Sequence, residues 1–162
     1  MEATAELAGF FAAHAFWTLS EAPTFDPMLA FLKEDGARNM VRLVGYEAPQ
    51  AVAFGRDWIA KNEESARCAV LVFDGRIRLG DDRTDAVIVE AHQLAPEERT
   101  FTLAVPYRQY DSSEGFAVYR PKFLSEAPAG TSYDELAAAF FRGVDQHEDG
   151  SAVWNEHLDQ SR

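Results

Sequence analysis

An acidic side chain and a histidine two residues apart are the first pair in the sequence with a shared chemical use. Glu90 and His92 lie within residues 84–94, a run rich in Val, Ile and Thr that predicts a β-strand. Alternate residues of a strand share a face, with Cα atoms about 7 Å apart. A carboxylate so placed can orient the imidazole and raise its pKa, which is the start of an acid–base pair.

Tyr107 and Arg120 are two further polar residues of the predicted strand region. If the open face of the sheet is concave, they line a pocket together with Glu90 and His92, suited to a small anionic or polar ligand. The alternative is an ordinary polar solvent face, as on most open antiparallel sheets. The sequence leaves both interpretations open, because a register slip of one residue turns each side chain to the opposite face.

Residue types that bind metal ions are concentrated near the C-terminus. They are Asp145, His147, Asp149 and Glu156. With Gly150 between them, their spacing is similar to that of an EF-hand calcium loop, in which carboxylates supply oxygens and the glycine allows a sharp turn. His147 replaces an Asp or Asn of that pattern, and imidazole suits zinc or another transition metal better than calcium. We expect no cofactor beyond a weakly bound divalent cation here; the alternative is a helix end followed by an Asp-Gly turn.

The charge balance of the chain limits its partners. The 162 residues include 15 Lys and Arg against 27 Asp and Glu, a formal net charge of −12. Neutralising phosphates requires a surface of Lys and Arg, so we expect neither nucleic acids nor anionic membrane surfaces as partners. The sequence contains no glycine-rich phosphate loop, no zinc-ligand spacing and no nucleophile elbow. It therefore carries no common catalytic motif.

Two features of the chain favour a reducing, cytoplasmic location. Cys68 is the only cysteine, so no disulfide can form within the chain. The first charged residues, Glu2 and Glu6, are acidic, whereas the start of a secretory signal is basic. The apolar stretch at residues 7–17 is shorter than the roughly 20 residues of a membrane-spanning helix. We therefore expect a soluble cytoplasmic protein.

The elements that would position these residues follow from hydrophobic periodicity and turn signals. The predicted helices cover residues 2–19, 49–64 and 132–147, with a short final helix at 151–158. The predicted strands cover residues 28–32, 40–44, 68–73, 76–79, 84–94, 99–107 and 115–120, with hairpin turns at 34–36 and 74–75. Strands joined by tight turns are antiparallel, and no βαβ alternation occurs. We predict an α+β fold in one domain, residues 1–162: an antiparallel sheet of about five to seven strands, with the N-terminal, middle and C-terminal helices packed mainly on one face.

The N-terminal helix lacks a polar side. No charged residue occurs at positions 7–17, and Phe16 points away from the side on which Leu7 lies. A surface helix of a monomer needs a polar back, so a second subunit is the simplest cover for this one. The alternative is cover within the chain, with Phe140 or Phe141 of the C-terminal helix lying across Phe16.

Three functions are compatible with these features. The first is a non-enzymatic interaction or structural module that acts as a homo-oligomer, favoured by the apolar helix and the lack of a catalytic motif. The second is a binder of a small polar ligand, or an enzyme, that uses Glu90 and His92 on the sheet face. The third is a weak divalent-metal binder at residues 145–156. We take the first as the leading hypothesis.

Overall fold

The computed structural model describes residues 1–162 as four helices and seven strands. The helices are α1 (Glu2–Leu19), α2 (Ala48–Lys61), α3 (Tyr133–Gln146) and α4 (Glu148–His157). The strands are β1 (Met28–Leu32), β2 (Arg38–Arg42), β3 (Cys68–Leu79), β4 (Asp82–Gln93), β5 (Arg99–Arg108), β6 (Ala117–Val118) and β7 (Lys122–Phe123). The predicted α+β class with an antiparallel sheet is confirmed. None of the helices combines the length and apolarity that crossing a bilayer requires.

The strands form one sheet in the order β2-β1-β3-β4-β5-β6, and β7 also pairs with β5. Its centre is the β3–β4 hairpin, in which each strand has 12 residues. The hairpin turns at Gly80, whose φ of 62° suits a glycine. The predicted turn at residues 74–75 is wrong, because Asp74 and Gly75 lie inside β3 and pair with Val87 and Ala86. The strands stay in register on both sides of this Asp-Gly step, so long-range pairing overrides the local turn signal.

One face of the sheet carries α1, α3 and α4. Val70, Val89 and Leu103 point to this face and form one buried core with the three helices. α1 and α3 approach closely because Gly9 and Gly143 each face the backbone of the other helix, where a side chain would collide with a carbonyl oxygen. This contact fixes α3 beside α1 and positions the start of α4.

α1 is covered on both sides within the chain. Phe16 is fully buried. Its ring centroid lies 5.1 Å from that of Trp154 on α4 and 5.8 Å from that of Tyr107 on β5. Phe16 is therefore covered by α4, whereas the intrachain alternative from the sequence pattern predicts cover by Phe140 or Phe141. The premise that α1 needs a second subunit to cover it is therefore wrong, whereas self-association itself stays a prediction.

α2 lies on the opposite face of the sheet. The N-terminal and C-terminal helices share one face, as predicted, whereas the middle helix does not join them. Its apolar side packs on β1 and β3 in a second buried cluster, which includes Leu29, Phe31, Ala51, Val52, Ile59 and Leu71. Because one helix covers only part of this face, a groove stays open between α2 and the ends of β4 and β5. That groove is the place where β4 presents its polar residues.

Candidate functional site

Glu90 and His92 lie on the same face of β4, as their spacing predicts. Glu90 is paired with Leu71 of β3 and Thr102 of β5, whereas Val87, Val89 and Ala91 point to the core under α1. The face that Glu90 and His92 share is the one that carries α2. Both side chains are half-buried, and residues of α2 are therefore within reach of them.

Arg56 of α2 is the partner of Glu90. Its Nε donates to Glu90 Oε2 at 3.0 Å, and its Nη2 donates to Oε1 of the same carboxylate. The Glu90 side chain is only 15% exposed, whereas that of Arg56 is 58% exposed. Such a two-pronged ion pair uses both oxygens of the carboxylate. Glu90 therefore holds α2 on the sheet and does not orient His92.

The pKa of His92 is lowered, whereas the spacing of Glu90 and His92 predicts a raised value. Burial of the ring is the largest cause, the Glu90 carboxylate acts in the opposite direction, and the Arg56 guanidinium lowers the pKa further. Arg56 offsets part of the attraction of the ring to Glu90 and Glu98, and desolvation outweighs what is left of that attraction. His92 is consequently a neutral imidazole near pH 7, and no hydrogen bond of the protein engages its ring.

The groove beside His92 has a volume of about 270 Å³. It is lined by Arg56, Ile59, Ala60, His92, Gln93, Leu94, Glu98 and Thr100. Gln93 is held at its rim: the Met1 ammonium donates to its Oε1 at 2.8 Å, and its Nε2 donates to the Glu97 carbonyl oxygen at 3.0 Å. The groove thus combines a fixed amide, a free imidazole and the Thr100 hydroxyl with apolar walls.

Tyr107 lies on the other face of the sheet, so its predicted place beside Glu90 and His92 is wrong. Its hydroxyl donates to Asp74 Oδ1 at 2.8 Å under the main core. Burial raises the pKa of the Tyr107 hydroxyl, and it also raises the pKa of the Asp74 carboxyl. Register is the reason for the error, because the odd-numbered residues of β5 face α1 and the even-numbered residues face the groove.

Arg120 is also outside the groove. It follows β6, and its Nε donates to the carbonyl oxygen of Arg162 at 3.2 Å. Its side chain borders an apolar cavity that Phe123, Phe140 and Leu158 also line. The structure therefore brings together two of the four predicted ligand-binding residues, and it adds Arg56 and Thr100.

The segment with metal-binding residue types forms helices, and the predicted calcium-type loop is wrong. Asp145 belongs to α3, His147 is the N-cap of α4, and Asp149 and Glu156 lie within α4. Gly150 is a helical residue packed against the Ala13 carbonyl, not the hinge of a loop. The structure contains no group of three or more His, Cys, Asp or Glu side chains placed to hold a metal ion.

The sequence indicates only some of the residues at the groove. No sequence pattern connects Arg56 with Glu90, because the two residues are 34 positions apart in the chain. Thr100 is one of several threonines in β-strands, and only the register with β4, where it lies opposite His92, singles it out. No protein-family model matches the chain, and neither a curated protein nor a solved structure shows significant similarity to it. The function of the protein is therefore inferred from its geometry alone.

Proposed function

We propose that the protein binds a small polar molecule in the groove between α2 and the sheet, with His92 and Thr100 as its main contacts. The observation that supports this function is the His92 ring, a half-buried neutral imidazole that no protein group engages. Buried polar groups in proteins are normally hydrogen-bonded, and the half-buried His92 ring has no such partner within the protein. A free imidazole in a groove is therefore ready to pair with a ligand.

The chemistry of the lining disfavours an anionic ligand and suits a neutral one. Arg56 and Glu90 neutralise each other, and the remaining charged residue of the lining, Glu98, is an exposed carboxylate without an ion-pair partner. A neutral imidazole and the Thr100 hydroxyl can each donate and accept one hydrogen bond. Ile59 and Leu94 supply apolar walls. Together these groups fit a small ring or alcohol with both a donor and an acceptor at one edge.

We propose binding rather than catalysis at this site. An imidazole that works as a general base usually has an acidic group to orient its other nitrogen. Glu90 is engaged by Arg56, and no other group holds the His92 ring in one orientation. With its net charge of −12, the protein is in our proposal a soluble cytoplasmic binding protein that avoids nucleic acids and anionic membranes.

A fragment titration monitored by NMR tests the proposal. The probe is a set of neutral hydroxyl- and nitrogen-bearing rings, added to the ¹⁵N-labelled protein. We expect saturable shifts at His92, Thr100 and Leu94 with at least one probe, and loss of that response in His92→Phe and Thr100→Val. Thr102→Val is the matched control, since it faces the same side one pleat further along β5 without lining the groove. Absence of saturable shifts, or an equal response in all three variants, contradicts the proposal.

A second candidate function, self-association, is favoured by exposed apolar side chains at the open edge of the sheet. Val41, Val44, Tyr46 and Phe54 are 43–56% exposed. The rings of Tyr46 and Phe54 stack with centroids 5.8 Å apart. A cluster of exposed large apolar residues is unusual on a monomer and marks an interaction surface. This patch replaces α1 as the proposed interface of a homo-oligomer.

The edge strand β2 suits pairing with a second copy of itself. Lys33 N–H donates to the Ala37 carbonyl and Leu43 N–H donates to the Pro27 carbonyl. The odd-numbered residues of β2 therefore turn their backbone groups towards β1, and the even-numbered residues turn theirs outward. If a two-fold axis relates two β2 strands at Val41, the Val41 side chains of the two copies contact each other. Arg38 of one copy then does not lie opposite Arg42 of the other.

Analytical ultracentrifugation tests this second function. We expect a concentration-dependent dimer for the parent protein and a monomer for Val41→Lys. Leu124→Lys is the control, because it places the same charge at an exposed apolar position outside the patch. A parent that stays monomeric at roughly millimolar concentration, the range of weak encounters, rejects self-association.

A further inference from the structure

Two histidines on the α1 side of the sheet form a hydrogen-bonded pair. His14 Nδ1 and His147 Nε2 are 2.9 Å apart, and His147 Nδ1 accepts the backbone N–H of Gly150 at 2.9 Å. A neutral imidazole carries one proton, so a ring that accepts at Nδ1 donates from Nε2. His147 therefore donates to His14 Nδ1. The proton of His14 is consequently on its own Nε2.

His14 also lines a second pocket. This pocket has a volume of about 170 Å³ and is lined by His14, Thr18, Thr24, Phe25, Asp26, Met28 and Arg42. His14 makes no side-chain hydrogen bond besides the one to His147. Its Nε2–H is thus a donor without a protein acceptor, and its tautomer is fixed before any ligand arrives.

The pocket also contains one positive and one negative side chain. Arg42 comes from the end of β2 and Asp26 from the loop before β1, and neither takes part in an ion pair of the protein. Arg38, on the same face of β2, differs: its guanidinium lies 3.8 Å from the ring centroid of Phe10 and donates to Gln146. Arg42 and Asp26 are therefore available to a ligand in a way that Arg38 is not.

The charge state of His14 agrees with a role as donor. Burial lowers the pKa of His14, and His147 and the Arg42 guanidinium lower the same pKa further. Burial also lowers the pKa of His147; there Asp149 acts in the opposite direction and Arg38 adds to the decrease. Both rings are therefore neutral near pH 7. Arg42 and Asp26 are then the only full charges that line this pocket.

We propose that this pocket binds a small free α-amino acid. Arg42 and the His14 Nε2–H would hold the carboxylate, and Asp26 would hold the ammonium group. A carboxylate and an ammonium attached to the same carbon match an arginine and an aspartate that share one small pocket but do not pair with each other. Phe25 and Met28 leave an apolar surface for a short aliphatic side chain.

The experiment compares an amino acid with its two halves. L-Alanine, propionate and ethylamine are titrated separately into the ¹⁵N-labelled protein, and chemical shifts are followed at Thr24, Phe25 and Arg42. We expect saturable binding of L-alanine that is at least about tenfold tighter than that of either half, since each half loses one charged contact. This pocket does not overlap the groove beside His92, so the result is independent of the function proposed above.

Paired variants separate the pocket from a general charge effect. Arg42→Gln and Asp26→Asn each weaken L-alanine binding by about tenfold or more. Arg78→Gln and Glu21→Gln, which change the same charges at exposed positions outside the pocket, leave binding within about twofold. The proposal is overturned if L-alanine gives no saturable shifts, if propionate or ethylamine binds as tightly as L-alanine, or if the control variants weaken binding as much as the pocket variants do.

Discussion

His92 and His14 lie on opposite faces of the same sheet, and they differ in whether the charged residues beside them are paired with each other. Beside His92, Arg56 and Glu90 are joined in an ion pair, and the ring has no partner that fixes its tautomer. Beside His14, Arg42 and Asp26 are unpaired, and His147 fixes the tautomer of the ring. A charge that is already paired within the protein offers little to a ligand, whereas an unpaired one selects for the opposite charge. The two pockets therefore favour different ligands, an uncharged one and a zwitterion.

Removing His147 is expected to have the largest effect, and only on the α1 side. His147→Ala removes the cap that accepts the Gly150 N–H and also removes the hydrogen-bond partner of His14. A lost N-cap costs about 1 kcal/mol and a lost hydrogen bond about as much, so we expect about 2 kcal/mol less unfolding free energy. Urea denaturation measures it, with His157→Ala at the other end of α4 as control. A loss below about 0.5 kcal/mol, the range of a neutral surface change, would show that the pair is not a structural contact.

Acidification is expected to weaken the fold, and the α1 side more than the groove. Burial lowers the pKa of His14, His92 and His147 in the folded protein. The unfolded chain then binds more protons than the folded one below its histidine pKa of about 6.5, so the unfolding free energy falls as the pH falls through this value. Protonation of His14 or His147 also places two N–H donors face to face.

Urea denaturation between pH 5 and pH 8 measures this pH dependence. We expect the loss of stability on acidification to be smaller in His147→Ala than in the parent, because the variant no longer holds the histidine pair. His92→Phe is expected to keep most of the decrease. A parent whose stability is flat or rises from pH 7 to pH 5.5 would contradict the neutral state of these rings.

The smallest expected effect concerns the ion pair beside His92. Arg56→Gln removes a positive neighbour and raises the pKa of His92, whereas Glu90→Gln removes the negative neighbour and lowers it. The coupling between Arg56 and Glu90 is about 1 kcal/mol, at the upper end for a partly exposed pair, because the contact is two-pronged. NMR titration of His92 in both variants gives the two directions. Shifts of equal sign would mean that Arg56 and Glu90 do not balance each other at the ring.

Much of the fold follows from local signals. Ser132 and Glu135 form the capping box that their spacing predicts at the start of α3. The hairpin of β1 and β2 turns near Gly36 as expected, with a φ of 81° at that glycine. The Asp-Gly step inside β3 forms no turn despite its local signal, because turn propensity is local whereas strand pairing is a property of the whole sheet.

The candidate sites depended on contacts that no local pattern shows. Alternation along one strand places Glu90 and His92 together, but only the register between β4 and β5 decides that Thr100 joins them and that Tyr107 does not. The pairing of His14 with His147 joins residues that are 133 positions apart. The pattern near the C-terminus suggested a calcium-type loop, because its Asp-Gly step was interpreted as a turn although His147 caps a helix there.

Direct detection of the imidazole nitrogens tests the contrast between the two histidines most directly. Long-range ¹H–¹⁵N correlation spectra at pH 7.5 report the tautomer of each ring without any added ligand. We expect His14 and His147 each in a single neutral form with the proton on Nε2, and His92 as an exchanging mixture of both neutral tautomers. A charged His14, a proton on its Nδ1, or a single fixed tautomer at His92 would contradict this account.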